Sequence, residues 1–292
     1  MEYKQPAGID LHIHSNASDG TFSPREIIHR AVESGLRAVS ITDHDTISGV
    51  KEALNLSIPP ALKFISGVEI SAAPPDLSDQ TGSLHILGYG FNPDNPELQE
   101  MLLPLQQARL NRNPLILQKL NALGMDITLN DVLDDTAEKQ VGRPHIARVM
   151  VRKGIVGSID EAFDRYLSRN RPAYVDKYRV PCPKAIEIIK QAGGIPVLAH
   201  PFLLSRNDNP SITRLVSSLK DMGLMGIEVY YPQHPPEIVA VYTRLALRFG
   251  LLETGGSDFH GALTPDVRMG CGKGDFFVPL RVYEKLIAAL ES

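Results

Sequence analysis

A repeated alternation of short apolar runs with helix-patterned stretches limits how this chain can fold more than any other feature. "GIDLHIH", "RAVSITDHD", "KFISGVEIS", "LHILGYGF", "IPVLAHP", "MGIEVYYP" and "LLETGGSD" read as strands. Most are separated by helical stretches with their own start and stop signals. In "SPREIIHRAVESG", Ser23 is placed as N-cap, Pro24 opens the first turn, Glu26 completes a capping box and Gly35 can end the helix. Thr46 to Leu56, "PKAIEIIKQAGG", "ITRLVSSLKDMG", "PEIVAVYTRLALRFG" and the final "LRVYEKLIAALES" continue the alternation. Repeated βα units argue for a parallel sheet covered on its faces by helices. Seven strands suggest a closed or nearly closed barrel, with a doubly wound open sheet as the alternative.

The alternation is interrupted once. From about Pro96 to Arg171 only helices are read: a long one broken by Pro104 and Pro114, then "TLNDVLDD", "RPHIARVMVRKG" and "SIDEAFDRYLSRN". Ser158 with Glu161 is a second capping box in the last. The expected architecture is α/β: a distorted (β/α)7 barrel from residues 1–95 and 172–292, with a helical insertion domain at 96–171. A chain of 292 residues with 43% hydrophobic content suits one large barrel.

Composition narrows the setting. No apolar run reaches the roughly 18 residues of a membrane span, and the first residues lack a signal-peptide pattern. Two cysteines, Cys182 and Cys271, are too few for a disulfide framework, so a cytoplasmic location is expected and a membrane partner is not. A net charge of −4 gives no general affinity for nucleic acid, and duplex is not an expected partner. The charge is uneven, however: residues 143–184 carry ten Lys/Arg against four Asp/Glu.

Ionisable residues collect where the strands end. His12 and His14 close the first, Asp43 and His44 follow the second, and Glu69 ends the third. His85 lies in the fourth, His200 ends the fifth, Glu228 is near the end of the sixth, and Asp258 and His260 follow the seventh. A parallel barrel carries the C-terminal ends of its strands to one rim. His12 and His14, two apart on a strand, face the same side and can grip one ion, or can be two solvated histidines. Asp43–His44 alone reads better as a polar strand end, Glu69 could pair with an arginine, and His200 before Pro201 could be a turn residue. Glu228 reads as a barrel-interior residue with a backbone or arginine partner rather than a ligand. His29 reads as a surface residue on its helix, and His234 as surface or rim. Convergence on one rim is what favours a site binding zinc, manganese or iron.

With those residues assembled, the sequence resembles the PHP (polymerase and histidinol phosphatase) superfamily of metal-dependent phosphoesterases. "DLHIHSNASDG", "ITDHDT", "GVEIS" and "GGSDFHG" carry the resemblance, with "VLAHP" as a fifth anchor. "GRPHIAR" and "GIEVYYPQH" point to the stand-alone bacterial subgroup that removes the 3′-phosphate of nucleoside 3′,5′-bisphosphates or degrades short RNA from its 5′ end. The resemblance implies two to three divalent transition metal ions held by nine ligands. His12, His14, Glu69 and Asp258 would hold the first, with Glu69 bridging to a second shared with His85 and His200. Asp19, His44 and His260 would hold the third. An oxygen donor at Asp19 favours manganese over zinc, with iron open. The loop after His200 departs from the pattern: it continues Pro201-Phe202-Leu203-Leu204, with no basic residue before Arg206.

The expected reaction is phosphoester hydrolysis by a metal-activated hydroxide, with the ions also neutralising the phosphoryl oxygens. Arg143 and His145 of "GRPHIAR" are the candidates for contacting a substrate phosphate, from an insertion expected to arch over the active site. Tyr230 and Tyr231 could offer a stacking surface for a base or could be core residues. Nucleotide or short-oligonucleotide substrates are expected. A small-metabolite phosphatase, such as one for histidinol phosphate, and a metal-stabilised non-catalytic binding module are the alternatives.

Overall fold

The structure is a computed structural model that describes residues 8–75, 83–133, 141–204, 209–274 and 276–292. Its elements are β1 (Ile9–Ile13), α1 (Pro24–Glu33), β2 (Ala38–Ile41), α2 (Ser48–Leu54), β3 (Lys63–Ala73), β4 (Leu84–Tyr89) and α3 (Pro96–Ala122). They continue with α4 (Leu129–Leu133), α5 (Arg143–Arg152), α6 (Ile159–Ala162) running into a π turn at Phe163–Leu167, β5 (Val180–Pro181) and α7 (Cys182–Gln191). β6 (Ile195–Leu198), α8 (Asn209–Asp221), β7 (Gly226–Tyr230), α9 (Pro236–Phe249), β8 (Leu252–Gly255) and α10 (Leu280–Leu290) complete the chain. The capping box on α1 is present as read: Ser23 Oγ accepts from Glu26 N, and the Glu26 carboxylate accepts from Ser23 N. On α6, Ser158 accepts from Glu161 N, but the Glu161 carboxylate takes Gly157 N–H at 2.7 Å, so the box is not reciprocal.

The strands lie in the order β1-β2-β3-β4-β6-β7-β8, and the two-residue β5, unread in the sequence, pairs with β3. The ring closes beyond β8, where Asp258 N donates to His12 O and His14 N to Phe259 O, each at 2.9 Å. One strand runs against expectation. β4 is antiparallel to both β3 and β6, while the other neighbours on the path are parallel. The cause is the short link between Ala73 and Leu84, since a parallel return needs a crossover of a dozen residues or more. The reversal decides where His85 goes. The start of β4 lies at the rim where the other strands end, so His85, its second residue, is delivered there. A parallel β4 would have carried it to the opposite end.

α3 is the second departure. The chain stays helical through Pro104 and Pro114 instead of breaking. Both prolines are on the exposed face, where the carbonyl that loses its N–H partner can turn to water. The buried stripe runs Leu98, Leu102, Leu105, Arg109, Arg112, Ile116 and Leu120, in steps of three or four residues. Leu98, Leu102 and Leu105 pack with β3, β4, β6 and β7. Ile116, Leu117 and Leu120 pack instead with α5 and its neighbours in a separate cluster. One helix therefore belongs to two cores, and its two buried arginines lie between them.

Candidate active site

β1 places the first two histidines by simple alternation. Ile9, Leu11 and Ile13 point into apolar clusters, and His12 and His14 face the other way, both fully buried. The following loop turns straight back: Gly20 N donates to Ser15 O, and a Cβ on Gly20 would stand 2.0 Å from His14 O. This brings Asp19 Oδ1 to 3.6 Å from His14 Nδ1. Asp43 is occupied in holding that loop, accepting from Ser15 N (2.7 Å), Ser15 Oγ (2.6 Å) and Ser18 Oγ (2.7 Å). Gly256, beside the end of β8, approaches β1 so closely that a Cβ would meet His12 N at 2.2 Å. His200 and Asp258 sit at positive φ, +24° and +54°, strained values held by their surroundings.

Glu69 lies at the centre. Its Oε1 is 2.7 Å from His85 Nδ1 and 2.8 Å from His200 Nε2. Its Oε2 is 2.9 Å from His44 Nδ1, 3.3 Å from His14 Nε2 and 3.5 Å from His12 Nε2. Asp258 Oδ1 is 3.0 Å from His14 Nε2 and 3.4 Å from His12 Nε2. Asp19 faces His260 Nε2 at 3.4 Å and His44 Nε2 at 3.8 Å. The nine residues that the resemblance implies as ligands thus stand in one cluster, five of them buried and four half-buried.

That cluster fits divalent cations. His12 Nε2, both ring nitrogens of His14, His44 Nδ1, His200 Nδ1, Asp19 Oδ1 and Glu69 Oε2 are buried without a hydrogen bond. Close approach without hydrogen bonding is what lone pairs converging on an ion would produce. Three groups of ligand atoms lie within 4.8 Å of one another: His14–Asp19–His44–His260, His12–His14–Glu69 and His44–Glu69–His85. Burial would push Asp19, Glu69 and Asp258 upward, yet the imidazoles around them hold all three well below the usual carboxylate range. The imidazoles divide: burial pushes His44 down to about 3 and lowers His85, whereas the surrounding carboxylates raise His12, His14 and His200 against burial.

Beside the cluster opens a cavity of about 100 Å³, walled on one side by Asp19, His44 and His85. The lining also includes Arg109, Arg112, Arg143, Lys177 and Arg179, with Phe163 and Tyr174. Asp45 is buried at φ +57°, directly after His44, and organises part of this wall. Its Oδ2 accepts from Arg109 Nε at 2.6 Å and Lys177 Nζ at 2.9 Å, and its Oδ1 from Ser71 N at 2.7 Å. No acid among the described residues forms an ion pair with Arg112, and its Nε is buried without a partner. Burial, then the charges of Arg109 and Arg143, push its guanidinium down to about 9. Burial, then Arg109, push Lys177 down to about 7 against the pull of Asp45. This is a concentration of buried positive charge beside the carboxylate–imidazole cluster.

The other residues singled out fall as follows. Arg143 lines the cavity, anchored by a 3.0 Å bond from Nη1 to Leu167 O. His145 is fully buried behind it and takes Gly142 N–H on Nδ1 at 3.0 Å; burial pushes it down to about 4. Tyr231 is buried and donates to Asp258 Oδ2 at 3.0 Å, while Tyr230 faces Glu253 and Arg281. Glu228 is buried against His12 and His200, with histidine and backbone as its partners. His234 is buried, not at the surface, with Nδ1 on Val229 O, and His29 is exposed beside Glu33. Arg206 lies outside the described residues. Arg109, Arg112 and Lys177 went unread in the sequence. Two arginines interrupting an otherwise apolar helical stripe were the available signal.

Fold and site together define a hydrolase-type centre: several carboxylates and imidazoles at the rim of a βα barrel, beside a basic cavity. Residues 10–191 match the PHP domain, and the chain belongs to that family. It is 34% identical to a 5′-3′ exoribonuclease of Haemophilus influenzae, over 86% of this chain and 89% of the relative. It is 33% identical to a 3′,5′-nucleoside bisphosphate phosphatase of Chromobacterium violaceum, over 87% of each. Among solved structures, an amidohydrolase from Chromobacterium violaceum with bound sulfate and no metal is similar at 30% identity, TM-score 0.85, covering 97% and 96% of the two chains. No helix among the described residues is long and apolar enough to cross a membrane.

Proposed function

We propose that this protein hydrolyses a phosphate ester of a nucleotide carrying a second phosphate: a nucleoside 3′,5′-bisphosphate or the 5′ end of a short RNA. The observation that carries the reading is the buried, partly unpartnered cationic cavity that shares Asp19, His44 and His85 with the imidazole–carboxylate cluster. A substrate with two anionic groups fills both places at once. His12, His14, Glu69 and Asp258 are assigned to a first ion. Glu69, His85 and His200 are assigned to a second, and Asp19, His44 and His260 to a third. Manganese is preferred because Asp19 adds a hard oxygen donor to the third set. When bound, such ions lower the pKa of water and offset charge on a phosphoryl group. The protein's own part is placement: Arg109, Arg112, Arg143 and Lys177 hold the non-reacting phosphate and fix the distance to the reacting one. Residues 96–171 supply Arg109, Arg112 and Arg143 and act as the substrate-binding insertion. With Cys182 and Cys271 free, a reducing cytoplasm is the proposed setting.

A small-metabolite monophosphate such as histidinol phosphate would leave the cationic cavity unfilled. Phosphate release by manganese-loaded protein should be compared for adenosine 3′,5′-bisphosphate, adenosine 3′-monophosphate and histidinol phosphate. Losing charge-assisted contacts to the second phosphate should lower kcat/KM by about 10–100-fold, at 1.5–3 kcal/mol per such contact. Equal efficiency on the two adenosine substrates, or a preference for histidinol phosphate, would sink the reading.

A further inference from the structure

Glu228 lies inside β7, fully buried, and belongs to none of the three ligand sets. Each of its carboxylate oxygens faces one of their members. Oε1 is 2.9 Å from His12 Nδ1, and Oε2 accepts the backbone N–H of His200 at 2.7 Å. A carboxylate can only accept, so Nδ1 of His12 carries a ring proton, and the neutral ring that a metal ion requires then has its lone pair on Nε2. That Nε2 is buried without a hydrogen bond, 3.4 Å from Asp258 Oδ1 and 3.5 Å from Glu69 Oε2. The second bond secures His200 at its strained φ of +24°, with the His200 ring turned to Glu69.

We infer that Glu228 is a positioning residue for the metal centre: one buried carboxylate sets the tautomer of His12 and the backbone of His200, and so ties the first ion's site to the second's. This rests on the metal assignment above. Two donors meet two acceptor oxygens here, and an amide of the same size supplies only one. In Glu228→Gln, an amide oxygen kept on His200 turns the NH₂ toward His12 Nδ1. The His12 proton must then move to Nε2, where it blocks the ligand. An oxygen kept on His12 instead sets NH₂ against the His200 N–H, two buried donors face to face. A side chain that merely filled the barrel interior would tolerate the near-isosteric change.

The test is manganese affinity, measured by competition with a chelator on the whole protein, beside thermal melting of the metal-free form. Glu228→Gln should weaken manganese binding by about 10–100-fold while the metal-free melt stays put, with turnover recovering as manganese is raised. Wild-type affinity in the variant would overturn the positioning role and leave the metal assignment standing. Wild-type protein that binds no manganese, zinc or iron would overturn both. Should the variant fail to fold, ¹⁵N-histidine NMR of zinc-loaded wild type decides: a hydrogen-bonded proton on His12 Nδ1 supports the role, and a proton on Nε2 overturns it.

Discussion

His14 has both ring nitrogens buried without a hydrogen bond, with Asp258 Oδ1 3.0 Å away and Asp19 Oδ1 3.6 Å away. Such an arrangement is costly unless a cation completes it. His14→Ala and Asp258→Asn should each lower kcat by on the order of 10²–10³-fold or more in manganese-saturated protein, with circular dichroism unchanged. Full turnover in either variant would remove that residue from the site. At this scale the sequence was highly readable, because metal ligands are rare residue types in conspicuous places: strand ends and tight turns. Arginine is different. Arg109 and Arg112 are ordinary surface residues by composition, and in the sequence only their place in an apolar helical stripe marks them. Glu228 was readable as a buried interior residue. Its partners were not, since they come from β1 and from the residue two beyond β6, which only the folded ring sets beside it.

Helix α3 shows what periodicity conceals. A reading that counts apolar residues sees its stripe stop after Leu105 and restart at Ile116, and the two prolines invite a break between. In the folded molecule the stripe never stops; it changes chemistry for two turns. Arg112→Leu should extend the second apolar run one step back from Ile116. Because it removes a buried, partly unpartnered charge, melting should occur at or above the wild-type temperature while KM for a bisphosphate rises at least about tenfold. A fall in Tm beyond roughly 2–4 °C, equivalent to about 1 kcal/mol for a protein of this size class, would assign Arg112 to folding instead. β4 teaches a related lesson. Its strand character was plain in "LHILGYGF", but its direction was encoded only by the shortness of the link before it.

For the whole molecule, the pH response follows from burying several cations in one wall. Lys177 has its proton affinity lowered to about 7, first by burial and then by Arg109. Below that pH the ammonium is present, and above it the charge is lost; on the proposed reading this charge meets the substrate's second phosphate. KM for a bisphosphate should therefore rise as pH is taken from about 6 to about 8, and Lys177→Arg should flatten the rise because a guanidinium keeps its proton. A flat wild-type profile would mean that Lys177 does not hold substrate charge.

The continuity of α3 has a consequence for substrate choice. Its first half is fixed in one apolar core and its second half in another, so on the proposed reading the helix would act as a ruler between the cationic cavity and the imidazole–carboxylate cluster. A hinge would let the gap between two phosphates vary; a rod admits one span. Inserting a single alanine after Leu105 would advance everything beyond it by about 1.5 Å and rotate it by roughly 100°. Such a variant should lose its preference for doubly phosphorylated substrates while retaining bound metal. If it kept that preference, the measuring would have to be done elsewhere in the wall.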